Sequence, residues 1–212
     1  MSQPHLLVGM LDSPFVRRVA IALELYGIEY RNLPLRTVGD ADAFAAYSPL
    51  KRAPTLVLPT GEALFDSHLI LEHLDESVAL QARLLPAAPV ERLLCRQVMG
   101  VACGIADKAV SAVYEKVFHT PEQRSARVLE RNRGQFADSL AWLEARAPAN
   151  DFLFGARPSH ADIVVGTALC FTREVHPELL LLHEAPSVSA WAKRLDALPV
   201  FMKTYLAVEP PK

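Results

Sequence analysis

The sequence predicts an α/β domain of βαβ-ββα order followed by an all-helical domain. Three observations carry that expectation. Apolar runs of strand length alternate with helical periodicity over the first third of the chain, whereas everything after Val90 keeps a helical period. Pro54 stands at the mouth of the apolar run Thr55-Leu56-Val57-Leu58, a place where a strand tolerates the missing N–H. Leu84–Pro89, with Pro86 and Pro89, has the composition of a boundary. The expected domains are residues 1–80 and 90–212, joined by a linker over 81–89.

Each element has a local cause. His5-Leu6-Leu7-Val8-Gly9-Met10 is a short apolar run suited to a buried strand. Ser13 stands where a helix cap belongs, and Pro14 occupies the first turn, where its absent N–H would have been unpaired anyway. Val16, Val19, Ala20, Leu23 and Tyr26 mark the inner stripe of that helix, and Gly27 stops it. Tyr30–Leu35 reads as a second strand and Ala41–Ala46 as a short helix before Ser48-Pro49. Thr55–Leu58 and Ala63–Phe65 flank Pro59-Thr60-Gly61-Glu62, which predicts an antiparallel hairpin. Ser67–Glu76 follows as a helix, with Leu69, Ile70, Leu71 and Leu74 on its apolar face.

In the second domain Val90–Phe118 is one long helix, rich in small residues that permit close helix packing. Pro121 opens another, running to about Ala147, with Leu129, Phe136, Leu140 and Leu143 facing inward. Ser159-His160-Ala161-Asp162 is a capping-box variant, with Asp where Glu or Gln is usual. Shorter helices near Val188–Leu195 and Pro199–Leu206 complete the expected set.

Composition narrows the function classes. With 212 residues and 51% hydrophobic content, a sizeable core is available. A formal net charge of −2 leaves no electrostatic footprint for nucleic acid or an anionic membrane surface. No apolar run approaches the ~20 residues of a membrane span. The N-terminus lacks the basic and small-residue features of a signal peptide, so the expected location is cytoplasmic. Cys95, Cys103 and Cys170 are odd in number and lie in apolar helical text, which suits reduced, buried side chains. His68, His73, His119, His160, His176 and His183 show no metal-ligand spacing, so no metal is expected.

Lys51-Arg52-Ala53-Pro54 and Asp66-Ser67 carry the chemistry. A cis Ala53-Pro54 bond would turn the Ala53 backbone outward, where an extended peptide pairs with it as an added strand. Asp66 and Ser67, opening a helix, would hold the charged end of the same peptide. The pattern is a seat for a small charged peptide.

Together with Ser13-Pro14-Phe15 after the first strand and Ser159-x-x-Asp162 in the helical domain, these stations resemble the soluble glutathione transferase family over essentially the whole chain. The first domain would then be thioredoxin-like. The nearest likeness is to serine-type members, the plant tau class and bacterial proteins with the same Ser-Pro-Phe text. The resemblance implies a transferase that conjugates the glutathione thiolate to a small electrophile, with glutathione as co-substrate and no other cofactor. Ser13 would be the catalytic residue that stabilises the thiolate, although a serine there is also a helix cap worth ~1 kcal/mol. Asp12 beside it would oppose an anion if it pointed inward.

Phe15, Arg36, Arg52, Ala53, Pro54, Asp66 and Ser67 would bind glutathione. Arg52 would serve its glycine carboxylate, helped by Lys51 and Arg36, Ala53 its cysteinyl backbone, and Asp66 with Ser67 its γ-glutamyl end. Tyr114 and Phe118 are candidates for the electrophile pocket, and Ser159 with Asp162 for a folding element. The family implies a homodimer. Two alternatives stay open: a glutathione-binding protein with little conjugating activity, devoted to ligand carriage or protein contacts, and glutathione-dependent thiol-disulfide or peroxidase chemistry. The latter requires a cysteine where this chain has Ser13.

Overall fold

The computed structural model describes residues 3–180 and 184–209, so His183 lies outside the described residues. The first unit comprises the residues up to Leu85 together with Pro199–Leu206. Its elements are β1 (His5–Val8), α1 (Pro14–Tyr26), β2 (Tyr30–Leu33), α2 (Ala41–Ala45), β3 (Thr55–Val57), β4 (Ala63–Phe65) and α3 (Ser67–Glu76). The strands form one sheet in the order β2-β1-β3-β4. β1 runs parallel to β2 and antiparallel to β3, and β3 pairs antiparallel with β4. This is the βαβ-ββα thioredoxin-like arrangement.

Local chemistry sets the boundaries. β2 stops at Leu33, two residues short of expectation, because Pro34 cannot continue the ladder. The β3–β4 turn closes through Leu58 N–H donating to Glu62 O at 2.8 Å, with Gly61 at φ 97 supplying a backbone form that other residues resist. Gly27 ends α1 in the left-handed conformation, as its position in the sequence suggests. Leu7, Val8, Leu56, Val16, Val19, Leu23 and Ile70 are fully buried and form the core of this unit. Leu69 departs from expectation: it is exposed, because the buried stripe of α3 runs through Ile70, Leu71 and Leu74.

The second unit spans Pro86–Leu198 and the stretch from Ala207. It holds α4 (Pro89–Phe118), α5 (Ala126–Glu144), α6 (His160–Val175) and α7 (Pro186–Asp196). A short α8 (Pro199–Lys203) belongs to the first unit and ends before the expected Leu206. α6 is the central helix, buried continuously from His160 to Thr172. The helix expected from Pro121 divides instead. Pro121–Gln123 forms a single 3₁₀ turn, Arg124 is extended at ψ 133, and α5 starts afresh with the Ser125 side chain accepting from Val128 N–H. The three cysteines are buried. Among the described residues no helix is long and apolar enough to cross a membrane.

One buried group makes this unit sensitive to acid. His176, 2% exposed, has its Nδ1 3.2 Å from Lys116 Nζ and 3.3 Å from Glu178 Oε1. Burial pushes its pKa below the ordinary 6.5, the Lys116 ammonium pushes the same way, and Glu178 and the Ala109 carbonyl only partly offset them. The fold therefore favours neutral imidazole. The associated stability is present above pH 6.5 and is lost as pH falls from 6.5 through the lower folded value. A pH series of thermal melts should show His176→Gln with a flatter decline across that window than the parent. Parallel declines would exclude His176 as the source.

Candidate active site

Strand register gathers the expected site residues at one end of the sheet. Val8 pairs with Leu33 on one side and Thr55 on the other, and Thr55 pairs with Phe65. The chain leaving β1 toward Ser13, that leaving β2 toward Arg36, Ala53-Pro54 entering β3 and Asp66 leaving β4 therefore all emerge together. The Ala53-Pro54 peptide is cis.

Gly9 allows this convergence. At φ 133, a Cβ there would lie 2.6 Å from Val16 Cγ2 and 3.0 Å from Ala53 Cβ, so only a bare backbone lets α1 and the Ala53 loop approach this closely. Asn32 Nδ2 donates to the carbonyls of Leu7 and Gly9, at 3.0 and 2.9 Å, and fixes the strand end.

Ser13 is the N-cap of α1, with extended backbone at φ −67 and ψ 127, yet its side chain makes no capping hydrogen bond. Asp66, the N-cap of α3, behaves oppositely: its carboxylate accepts the His68 N–H at 2.8 Å. Asp66 also sits at φ 69, ψ 122, a backbone form disfavoured for a residue with a Cβ and costing ~1–3 kcal/mol. Ser67 next to it is buried. Both helices thus begin at the gathered end, each presenting the positive pole of its dipole, about half an elementary charge.

The basic residues surround this end. Arg36, Lys51 and Arg52 are exposed. The Arg36 N–H donates to Asp40 Oδ2 at 2.9 Å, and Lys51, at φ 48, has its Nζ 3.5 Å from Asp42 Oδ1. Positive helix poles, cations and the Asp66 carboxylate suit a short peptide with two carboxylates and one ammonium. Tyr114 and Phe118 lie one turn apart on α4 of the second unit, solvent-exposed, with ring centroids 5.8 Å apart.

Residues 7–82 match the model of the glutathione S-transferase N-terminal domain, and residues 126–194 match that of the C-terminal domain. Glutathione S-transferase U7 of Arabidopsis thaliana is 30% identical over 202 residues, spanning 93% of this chain and 85% of that protein. The chain belongs to the glutathione S-transferase family. It is a transferase that conjugates glutathione, its co-substrate, to electrophiles. A glutathione S-transferase from Methylobacterium radiotolerans, crystallised with glutathione sulfonate, has a TM-score of 0.90 at 27% identity, covering 99% of this chain and 98% of that one. A family member from Pseudomonas fluorescens Pf-5 with bound glutathione gives 0.85 at 29% identity, covering 96% and 100%.

One residue at this end of the sheet is not legible from the sequence pattern. Arg18 of α1 is 2% exposed; its Nη2 donates to Ser67 Oγ and lies 3.3 Å from His68 Nδ1, while its guanidinium sits 5.3 Å from the Phe15 ring centroid. One buried cation thereby ties the Ser-Pro-Phe turn to the start of α3. With its lone pair engaged by Arg18, the Ser67 hydroxyl keeps its proton for donation elsewhere. The signal in the sequence was a pair of arginines interrupting the apolar face of α1.

In the transferase, Arg18→Ala should raise KM for glutathione roughly tenfold, equivalent to ~1.4 kcal/mol, and lower kcat less. It should also reduce stability by ~2 kcal/mol, the worth of hydrogen bonds to a charged group. Initial-rate kinetics with chemical denaturation check both. A KM within twofold of the parent would remove Arg18 from the glutathione site.

Proposed function

We propose that this transferase is a serine-type member resembling the tau class and the bacterial Ser-Pro-Phe proteins, in which the Ser13 hydroxyl donates a hydrogen bond to the glutathione thiolate. The observation that carries the reading is the unspent Ser13 side chain. A serine at an N-cap ordinarily spends its oxygen on the helix, as Ser125 does, whereas Ser13 caps nothing. Its hydroxyl is available at the positive end of α1, where an anion is favoured.

In this reading the γ-glutamyl carboxylate takes hydrogen bonds from the Ser67 hydroxyl and N–H, and its ammonium faces Asp66. The Ala53 backbone pairs with the cysteinyl residue as an added strand, beside Pro54. Arg52 and Arg36 serve the glycine carboxylate, Arg suiting planar bidentate recognition, and Phe15 packs beside the peptide. The thiol gives its proton to solvent water, leaving thiolate; the sulfur then forms a C–S bond to the electrophile as a leaving group departs with its bonding pair, or as an activated double bond takes up the electron pair and a proton from water. Tyr114 and Phe118 are assigned to the electrophile.

A glutathione titration by calorimetry, paired with conjugation rates for a panel of aryl halides and enones, tests the whole reading. Binding with saturable turnover is expected. Binding without turnover of any electrophile would reduce the protein to a carrier. We further assign the working state as a cytoplasmic homodimer. The exposed apolar side chains Leu69 on α3 and Val90 and Leu93 on α4 support the dimer, and the buried free cysteines support a reducing compartment. Light scattering at micromolar concentration should return twice the chain mass; a monomer there would reject the dimer.

A further inference from the structure

Arg17 is a buried charge that the glutathione-binding residues leave unused. It is 5% exposed, and among the described residues no carboxylate pairs with it. Its Nη2 donates instead to the Phe201 carbonyl at 2.8 Å, and its guanidinium carbon lies 5.8 Å from the Phe201 ring centroid and 5.3 Å from that of Tyr205. Taking a cation out of water costs several kcal/mol, normally offset by a carboxylate. Here one carbonyl and two ring faces do that work, and both rings come from Pro199–Leu206, the segment that returns to the first unit.

The backbone of Arg17 has a second task. Its N–H donates to the Ser13 carbonyl at 2.9 Å, the hydrogen bond that closes the first turn of α1. The position of that turn sets where the Ser13 Cβ sits, and with it the space that the uncapped hydroxyl can reach. One residue thus holds Ser13 with its amide and the far end of the chain with its side chain. Lys203 Nζ, 2.7 Å from Glu24 Oε2, makes a second clasp between the same segment and the other end of α1.

We propose that Arg17 is a positioning residue for the transfer reaction: it fastens the first turn of α1 to Pro199–Leu206 and so sets the Ser13 hydroxyl against the glutathione sulfur. The inference rests on the assignment of Ser13 as the thiolate donor. Arg17→Met keeps the stem and removes the cation. It should raise the pKa of bound glutathione, read from thiolate ultraviolet absorption across a pH series, and lower kcat at neutral pH on the order of tenfold, the scale of small misplacements at a reacting centre. KM for glutathione should stay within twofold. Arg17→Lys, which still donates to the Phe201 carbonyl, should restore most of the rate.

Tyr205→Ala, which changes a half-exposed ring, guards against misfolding of the first variant. It should shift thiol pKa and kcat the same way, two- to threefold in rate, and add nothing in the double variant with Arg17→Met. The proposal fails if Arg17→Met and Tyr205→Ala lower only thermal stability, leaving thiol pKa and kcat unchanged, while Ser13→Ala raises the thiol pKa. If Ser13→Ala itself leaves the thiol pKa unchanged, the Ser13 assignment fails first and this proposal with it.

Discussion

Replacing Ser13 by alanine is expected to lower kcat at neutral pH by about a hundredfold, the usual scale for losing one hydrogen bond to a developing or stabilised anion. A free thiol of pKa ~8.5 is only a few per cent thiolate at neutral pH, so the enzyme gains most by lowering that value. The positive end of α1 remains in the variant, but the donor is gone. The acid limb of the kcat profile should therefore move to higher pH, and part of the lost rate should return in alkaline buffer. KM for glutathione should stay within about threefold, since the Ala53 and Asp66-Ser67 contacts are retained. Stability supplies a separating readout. A working serine cap is worth ~1 kcal/mol, whereas Ser13 makes no cap bond, so Ser13→Ala should melt almost as the parent does. Unchanged turnover with a lowered melting temperature would return Ser13 to the role of a cap.

What was legible in the sequence follows from how locally each feature is determined. Pro54, Gly61 and Gly27 restrict their own backbone, so the mouth of β3, the hairpin turn and the end of α1 could be placed from text alone. The Asp66-Ser67 start of α3 was legible for the same reason. The arginines of α1 were not. Arg18 finds Ser67 49 residues away and Arg17 finds Phe201 184 residues away, and nothing in the local pattern distinguishes a buried arginine from a solvated one. Leu69 was misread because adjacent helical positions are about 100° apart, so a run of three leucines and isoleucines cannot all face inward. The break at Arg124 was hidden because Pro121 is equally good at opening a 3₁₀ turn or an α-helix. Gly9 was passed over because the need for a missing Cβ comes from Val16 and Ala53, which meet it only in the fold.

Asp162→Ala is expected to cost about 3–5 kcal/mol of stability, a large share of what a domain possesses. Asp162 is fully buried and takes four hydrogen bonds. Its Oδ2 accepts from Ser159 N–H at 2.8 Å and from Ser159 Oγ at 2.6 Å; its Oδ1 accepts from Leu153 N–H at 3.0 Å and from Trp191 Nε1 at 2.9 Å. The sequence reading supplied only the box with Ser159; the structure adds the loop before it and the largest side chain of α7. Removing the carboxylate strands all four donors, Trp191 Nε1 among them in a side chain with no exposure, and each unsatisfied buried donor costs ~1–3 kcal/mol before relaxation. Asp162→Asn tests whether acceptor number or volume matters. The amide keeps the size but turns an N–H₂ toward one pair of donors, so it should recover less than half of the loss. Urea denaturation of the three proteins decides this, and a loss below ~1 kcal/mol in Asp162→Ala would mean the four bonds are replaceable by water. Glutathione affinity of the folded fraction should be unchanged in both variants, because every group that Asp162 holds belongs to the helical unit, whereas Ser13 and Asp66 belong to the first unit.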